Sequence, residues 1–305
     1  MNTHTKGKSM TDLALKENGL SIEAMAEALG AANTNKDRGP SIGGLKINSF
    51  GEDANGDQIP LGAFFLNNQE PRVYAKDGVR FRAFSNHIQY QHWDDGKLLN
   101  KSLLVLNQKA QARDQLGGEM CGMPTYDQSI AMSPQEREKF IGRDRYRIVR
   151  GVVSYTGTTA KGEEVTIENE PCVLSLKRKN YGPFYHDVTN RLPSGVNLWD
   201  FESVLTADKL KTPKGASYYV MRFSPQFDNL LEMDQMTNDS LKHVFGLVAS
   251  ENKRIDESYR ASGLLAADET YQDEIMDAVE TLEADFGQDP VDTVSKAYSS
   301  WKASA

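Results

Sequence analysis

The chain has 305 residues, 39% hydrophobic and 26% charged, with a formal net charge of −8. Those values describe a soluble globular protein with room for a sizeable core, and no run approaches the ~18 apolar residues of a membrane span. The opening residues MNTHTKGKSM carry cations but no apolar stretch, so no secretion signal is expected and the cytoplasm is the expected location.

In chain order, Ile22, Met25, Ala26 and Leu29 recur at helical spacing, so 21–31 reads as a short amphipathic helix with Ser21 as its cap. NTNKDRGPSIGG (33–44) has linker composition, which makes 1–44 an appendage. From 45 to 225 the pattern changes to short β-branched and aromatic runs: GAFFLNN, VRFRAFSNHIQYQHW, KSLLVL, YRIVRGVVSYTG, EEVTIEN, PCVLSLK and SYYVMRFS. Gly, Pro, Asn and Asp punctuate these runs as strand boundaries. TGTTAKGEE (156–164) reads as a hairpin loop, and a short helix is expected near Ser133-Pro134. After 225 the reading is helical, with Leu241, Val244, Phe245 and Val248 on one face. A second row, Ile275, Val279, Leu282 and Phe286, is followed by Pro290 and by Val294, Tyr298 and Trp301. The expected fold is α+β with a mainly β core, an OB-like antiparallel barrel, between an N-terminal helix and a helical acidic region over 226–305.

Charge is unevenly spread along these three parts. Residues 1–71 hold 6 basic and 9 acidic side chains (net −3), 72–223 hold 23 and 17 (net +6), and 224–305 hold 6 and 17 (net −11). Between Asp268 and Asp292 there are ten acidic residues and no basic one.

Catalytic signatures are missing from the sequence. No G-x-x-x-x-G-K-[ST] loop or dinucleotide fingerprint occurs. Acidic-x-Lys spacing, which a metal-dependent nuclease uses to hold a cation, occurs only at Asp95-Gly96-Lys97 and Glu251-Asn252-Lys253, in a turn and a polar helical stretch. His87 and His92 fall on opposite faces of a strand. His186-Asp187 has no nucleophile motif beside it. Cys121 and Cys172 lack metal-ligand spacing and are expected to be buried and reduced. The expectation is a protein without catalytic activity, metal or cofactor.

Single-stranded nucleic acid needs cations to track phosphates and flat rings to stack on bases. Three stretches supply both. In the first, Arg80 and Arg82 share a strand face, with Tyr90 and Trp93 following. In RDRYRIVRG, Arg143, Arg145 and Arg147 line one face while Tyr146, Ile148 and Arg150 take the other. In LKRKNYGPFY, Lys177, Arg178 and Lys179 run into Tyr181, Phe184 and Tyr185 around a Gly-Pro turn. For each cluster the alternative is a solvated charged face above core aromatics. The acidic region can occupy such a basic groove or dock on a partner, through Ile275, Val279, Leu282, Phe286 and Trp301. Its alternative is a solvated helix face.

This basic β-rich core followed by an acidic C-terminal region resembles the single-stranded-DNA-binding proteins of bacteriophage replication systems. IPLGAFFLNN, VRFRAFSNHIQYQHWD and EPCVLSLKRKNYGPF are similar to stretches of tailed-phage proteins. The resemblance covers residues 45–225. It implies an OB fold, binding of single-stranded DNA without sequence preference, a host-cytoplasmic location, and recruitment of replication or recombination proteins through the acidic region. The chain departs from that pattern in ending YSSWKASA rather than in acidic residues and an aromatic. The competing expectation is a structural or assembly protein of a phage particle, equally β-rich and without catalytic motifs.

Overall fold

The computed structural model describes residues 42–52, 56–106, 112–213 and 215–262. The helix expected at 21–31, the acidic stretch 268–292, and Ile275, Val279, Leu282, Phe286 and Trp301 lie outside them. The described residues form nine strands: β1 (Gly43–Ile47), β2 (Phe64–Leu66), β3 (Val73–Tyr74), β4 (Val79–Asp94), β5 (Lys97–Lys101), β6 (Arg143–Thr159), β7 (Glu164–Lys177), β8 (Ser203–Lys211) and β9 (Ser217–Pro225). The hydrogen-bonded order is β2-β1-β7-β6-β4-β8-β9, with β3 paired to β6 and β5 to β4. The fold is mixed, with a mainly β core as expected. The sheet is open, however, and β1 runs parallel to β7, so the closed antiparallel barrel expected from the sequence is replaced by an open sheet.

Strand continuity differs from the sequence reading as well. β4, β6 and β7 run for 16, 17 and 14 residues, because residues that punctuate the sequence sit inside continuous strands. EEVTIEN and PCVLSLK are one strand, β7, with Asn169 at a positive φ of 49° in a register shift and Pro171 still paired with Val152. Gly151 lies mid-strand in β6, where an added Cβ would collide with the Arg82 carbonyl oxygen; glycine is needed for the close approach of β4.

That approach marks a bulge. Ala83 pairs with Gly151 and Ser85 with Arg150, leaving Phe84 as the extra residue. An extra residue reverses side-chain alternation beyond it. Arg82 and Phe84 therefore share a face with His87 and Gln89, whereas Val79, Phe81 and Ala83 share the other with Ile88 and Tyr90.

The two faces are covered differently. The inner face carries the main core, in which Phe81, Val149, Val153 and Leu174 pack with Phe184 and Phe223. On the opposite face lies a helix, Gln235–Ala261, that realises the expected Leu241, Val244 and Val248 row. Leu241 and Val244 pack on Phe84, Val152 and Trp199, and Val248 on Leu104, Tyr146 and Ile148. Each such side chain is worth about 1.5–3 kcal/mol when fully buried, so packing holds this helix more than intrinsic propensity does. Under it, Glu251 binds Lys101 at 2.8 Å, Arg150, and the Gln89 amide at 3.0 Å.

The described residues form three further α-helices, α1 (Tyr126–Ala131), α2 (Pro134–Glu138) and α3 (Tyr181–Asp187), with Gln235–Ala261 as α4. α2 begins where the sequence places it, with the Ser133 side chain and Glu136 in a reciprocal cap. The hairpin joining β6 and β7 is also as expected, but its strands extend to Thr159 and from Glu164. Among the described residues, no helix is long and apolar enough to cross a membrane.

Candidate nucleic-acid interface

Where β7 ends, Arg178 adopts a positive φ of 52° and the chain turns through Arg178–Asn180 into α3. Two side chains dock this turn and helix on the edge of β9. Asn180 Oδ1 accepts the Met221 N–H at 2.7 Å, and Asp187 Oδ2 accepts that of Phe223 at 3.4 Å. Helical spacing then sorts the side chains of α3. Phe184 enters the core edge-on to Phe223, with ring centroids 5.2 Å apart. Tyr181 and Tyr185 face β6, and Gly182 and His186 face away from it.

On β6, Arg145 and Arg147 project from one face, as their even spacing requires. Their guanidinium carbons lie 4.5 and 4.8 Å from the centroid of the Tyr181 ring, and that of Arg147 lies 5.8 Å from Tyr185. Arg147 is buried, and it donates to Asn86 Oδ1 at 2.8 Å and to the Tyr181 carbonyl oxygen at 3.3 Å. Among the described residues it has no carboxylate partner. Burial pulls its pKa down, and neighbouring Arg145 acts in the same direction, but a guanidinium remains charged. Cation–π contact offsets this by up to about 2 kcal/mol when desolvated. Tyr90 stands opposite Arg145 in the β4–β6 register, its phenol pushed up by burial while Arg145 partly opposes the shift. The arrangement is a buried guanidinium, Arg147, beside a half-buried one, Arg145, both against the Tyr181 ring.

The rim carries the other cations. Asp144 accepts from Lys177 at 3.2 Å and from Arg178 at 3.1 Å. Partial burial disfavours ionised Asp144, but hydrogen bonds from Arg178 and Lys177 outweigh it and hold the carboxyl below its ordinary range. Lys177 also lies 5.1 Å from the Tyr146 ring centroid. Lys179 is exposed, and Arg143 donates to the Lys139 carbonyl oxygen while resting over Phe140.

The three cationic clusters of the sequence therefore do not make one surface. Tyr90, Arg143, Arg145, Arg147, Tyr181 and Tyr185 share a face, with Arg178 and Lys179 at its edge. Arg82 is on the α4 side, buried and bonded to the Trp199 carbonyl oxygen at 2.6 Å, the Thr237 hydroxyl at 2.8 Å and the Glu232 carbonyl oxygen at 3.2 Å. Arg80, on that side too, faces Glu202 at 3.6 Å. Trp93 donates to Gln91 at 2.8 Å. Tyr90, Tyr146 and Phe184 are buried and present no ring face for a base.

Sequence reasoning missed Asn86 and Asp144. Asp144 was visible as the one acid in RDRYR, at the parity opposite to its arginines; nothing local marked Asn86. Cys121 and Cys172 are buried free thiols. Burial pushes the Cys121 thiol up to about 12 and that of Cys172 higher still. No family model, curated protein or solved structure matches this chain.

Proposed function

We propose that this protein binds single-stranded DNA without sequence preference, in the manner of the phage replication and recombination proteins it resembles, and performs no catalysis itself. One observation carries the reading: Arg145 and Arg147 lie side by side over Tyr181, and among the described residues buried Arg147 has no carboxylate partner. A buried guanidinium with a second one beside it favours a phosphate, and Tyr181 with the exposed Tyr185 supplies rings for bases. An OB-like view of the core is supported by local curl alone: β3 pairs with the far end of β6, and an isolated Phe64–Ala75 bridge ties the following residue back to β2. In this reading the acidic C-terminal region competes for the cationic face or recruits replication or recombination proteins.

The test is a titration of the full chain with a fluorescent oligothymidylate and with a duplex of equal length, at two salt concentrations. Preference for the single strand, with affinity falling steeply as salt rises, is expected. Absence of binding at low salt overturns the reading and favours the phage-particle alternative.

A further inference from the structure

Beyond the Arg145–Tyr181 face, α3 forms one wall of a second groove, of about 400 Å³, whose floor is the β8–β9 hairpin. Leu210 pairs with Tyr218 across the hairpin, and Val220 and Arg222 continue the row from Tyr218 at even spacing. The floor is thus an aromatic ring beside two aliphatic side chains. The α3 wall has no side chain at Gly182 and an imidazole at His186. At the mouth stand Arg178, paired with Asp144 yet 70% exposed at its side chain, and Lys179, which has no hydrogen-bond or ion-pair partner among the described residues. The acids nearby are engaged: Asp208 holds Arg222 at 2.9 Å, and Asp187 accepts from Phe223.

We propose that this groove holds one nucleotide unit of a single strand, its base against Tyr218 and its phosphate at Lys179 and Arg178. The proposal rests on the single-strand reading above and assigns it a second subsite. The volume lies near the lower end of the ~300–1,000 Å³ range of small-ligand clefts, and a flat apolar floor with cations at one end matches a base joined to a phosphate. Arg178 and Lys179 immediately precede α3, so a strand crossing there reaches Tyr181 and Tyr185 on one side and Tyr218 on the other.

The experiment uses the full chain and a labelled oligothymidylate. Tyr218→Ala is expected to weaken binding about 5- to 150-fold, the equivalent of one stacked base, with the salt dependence unchanged. Tyr218→Phe is expected to bind like the parent, and Lys179→Ala to lower the salt slope by about 1. Tyr218 is half-buried and its truncation can loosen the hairpin, so a second readout is photo-crosslinking of a 4-thiothymidine oligonucleotide to the unaltered chain. Adducts within 217–222 support the groove, and adducts confined to the Arg145–Tyr181 face overturn it. If Tyr218→Ala and Lys179→Ala both bind normally while Arg145→Ala does not, the groove falls and the single-strand reading stands. If the parent chain binds no oligonucleotide, both fall.

Discussion

Asp144 grips Arg178 with both carboxylate oxygens, one 3.1 Å from Nε and the other 3.1 Å from Nη2. The same carboxylate takes Lys177, so one acid neutralises two of the three consecutive cations that end β7. A phosphate approaching this rim must compete with Asp144. Replacing Asp144 by Asn removes the competitor, and oligothymidylate binding should tighten about 2- to 5-fold. The change should cost about 1 kcal/mol of stability, because the Lys177 and Arg178 partners are 41% and 70% exposed and pairs open to solvent contribute little. Fluorescence anisotropy measures the first and urea unfolding the second. Unchanged or weaker binding would show that Asp144 positions the cations rather than restraining them.

Arg145, which packs on Tyr181 of α3, and Phe184, which α3 sends into the core, should separate binding from folding. Arg145→Ala should weaken every oligonucleotide about equally and lower the salt slope by about 1, with the melting temperature nearly preserved. Phe184→Ala opens a cavity beside Phe223 and should cost about 3–5 kcal/mol, with normal affinity in whatever remains folded. A stable Phe184→Ala that fails to bind would return this ring to the interface.

Acid should loosen the fold in two stages. Burial, assisted by Arg150, lowers the His87 pKa from 6.5 to about 3. The unfolded chain therefore takes up this proton first, and the contribution of neutral His87 is complete above pH 6.5 and lost as pH falls toward 3. At 1.36 kcal/mol per pH unit, roughly 2 kcal/mol should disappear between pH 6.5 and 5. Burial opposes ionisation of Glu251, but Lys101 and Arg150 outweigh it and leave its pKa below the ordinary 4.5. Its share is present above pH 4.5 and is lost only below that. Urea unfolding at pH 7 and pH 5 should show the early loss in the parent and a flattened dependence in His87→Gln. Equal pH slopes in the two proteins would assign the early loss elsewhere.

Residues 263–305 carry ten acidic and two basic side chains, which is the whole net charge of −8. A chain ending at residue 262 is formally neutral and keeps every described cation. It should bind oligothymidylate more tightly at low salt, and the advantage should shrink as salt screens the acidic segment. Equal affinity at low salt would exclude competition by this segment for the cationic face.

Face assignments were the most legible part of the sequence. The split of RDRYRIVRG into Arg143, Arg145 and Arg147 against Tyr146, Ile148 and Arg150 follows from strand alternation alone, and the structure reproduces it. Strand continuity was not legible, since Gly151, Asn169 and Pro171 are residues that usually end strands and here sit within them. The fate of Arg82 was equally hidden: its partners Trp199, Glu232 and Thr237 lie more than a hundred residues away. A solvated arginine and one buried beneath a later helix look the same in a local window. Tyr181 and Phe184 illustrate the same limit inside one short helix, where three positions separate a ring beside arginines from a ring in the core.

The extra residue in β4 has a consequence for how this protein can change. Phe84 sets the phase of everything after it, so a one-residue deletion there would leave Val79, Phe81 and Ala83 seated while exchanging inside and outside for the distal half. His87 and Gln89 would turn away from Glu251 toward Tyr181, and Ile88 and Tyr90 would pass beneath α4. Length is thus constrained more tightly at this joint than chemistry is. Substitutions at Tyr90 or Asn86 can retune the cationic face one side chain at a time, whereas a frame change at position 84 would dismantle that face and the Glu251 cluster together.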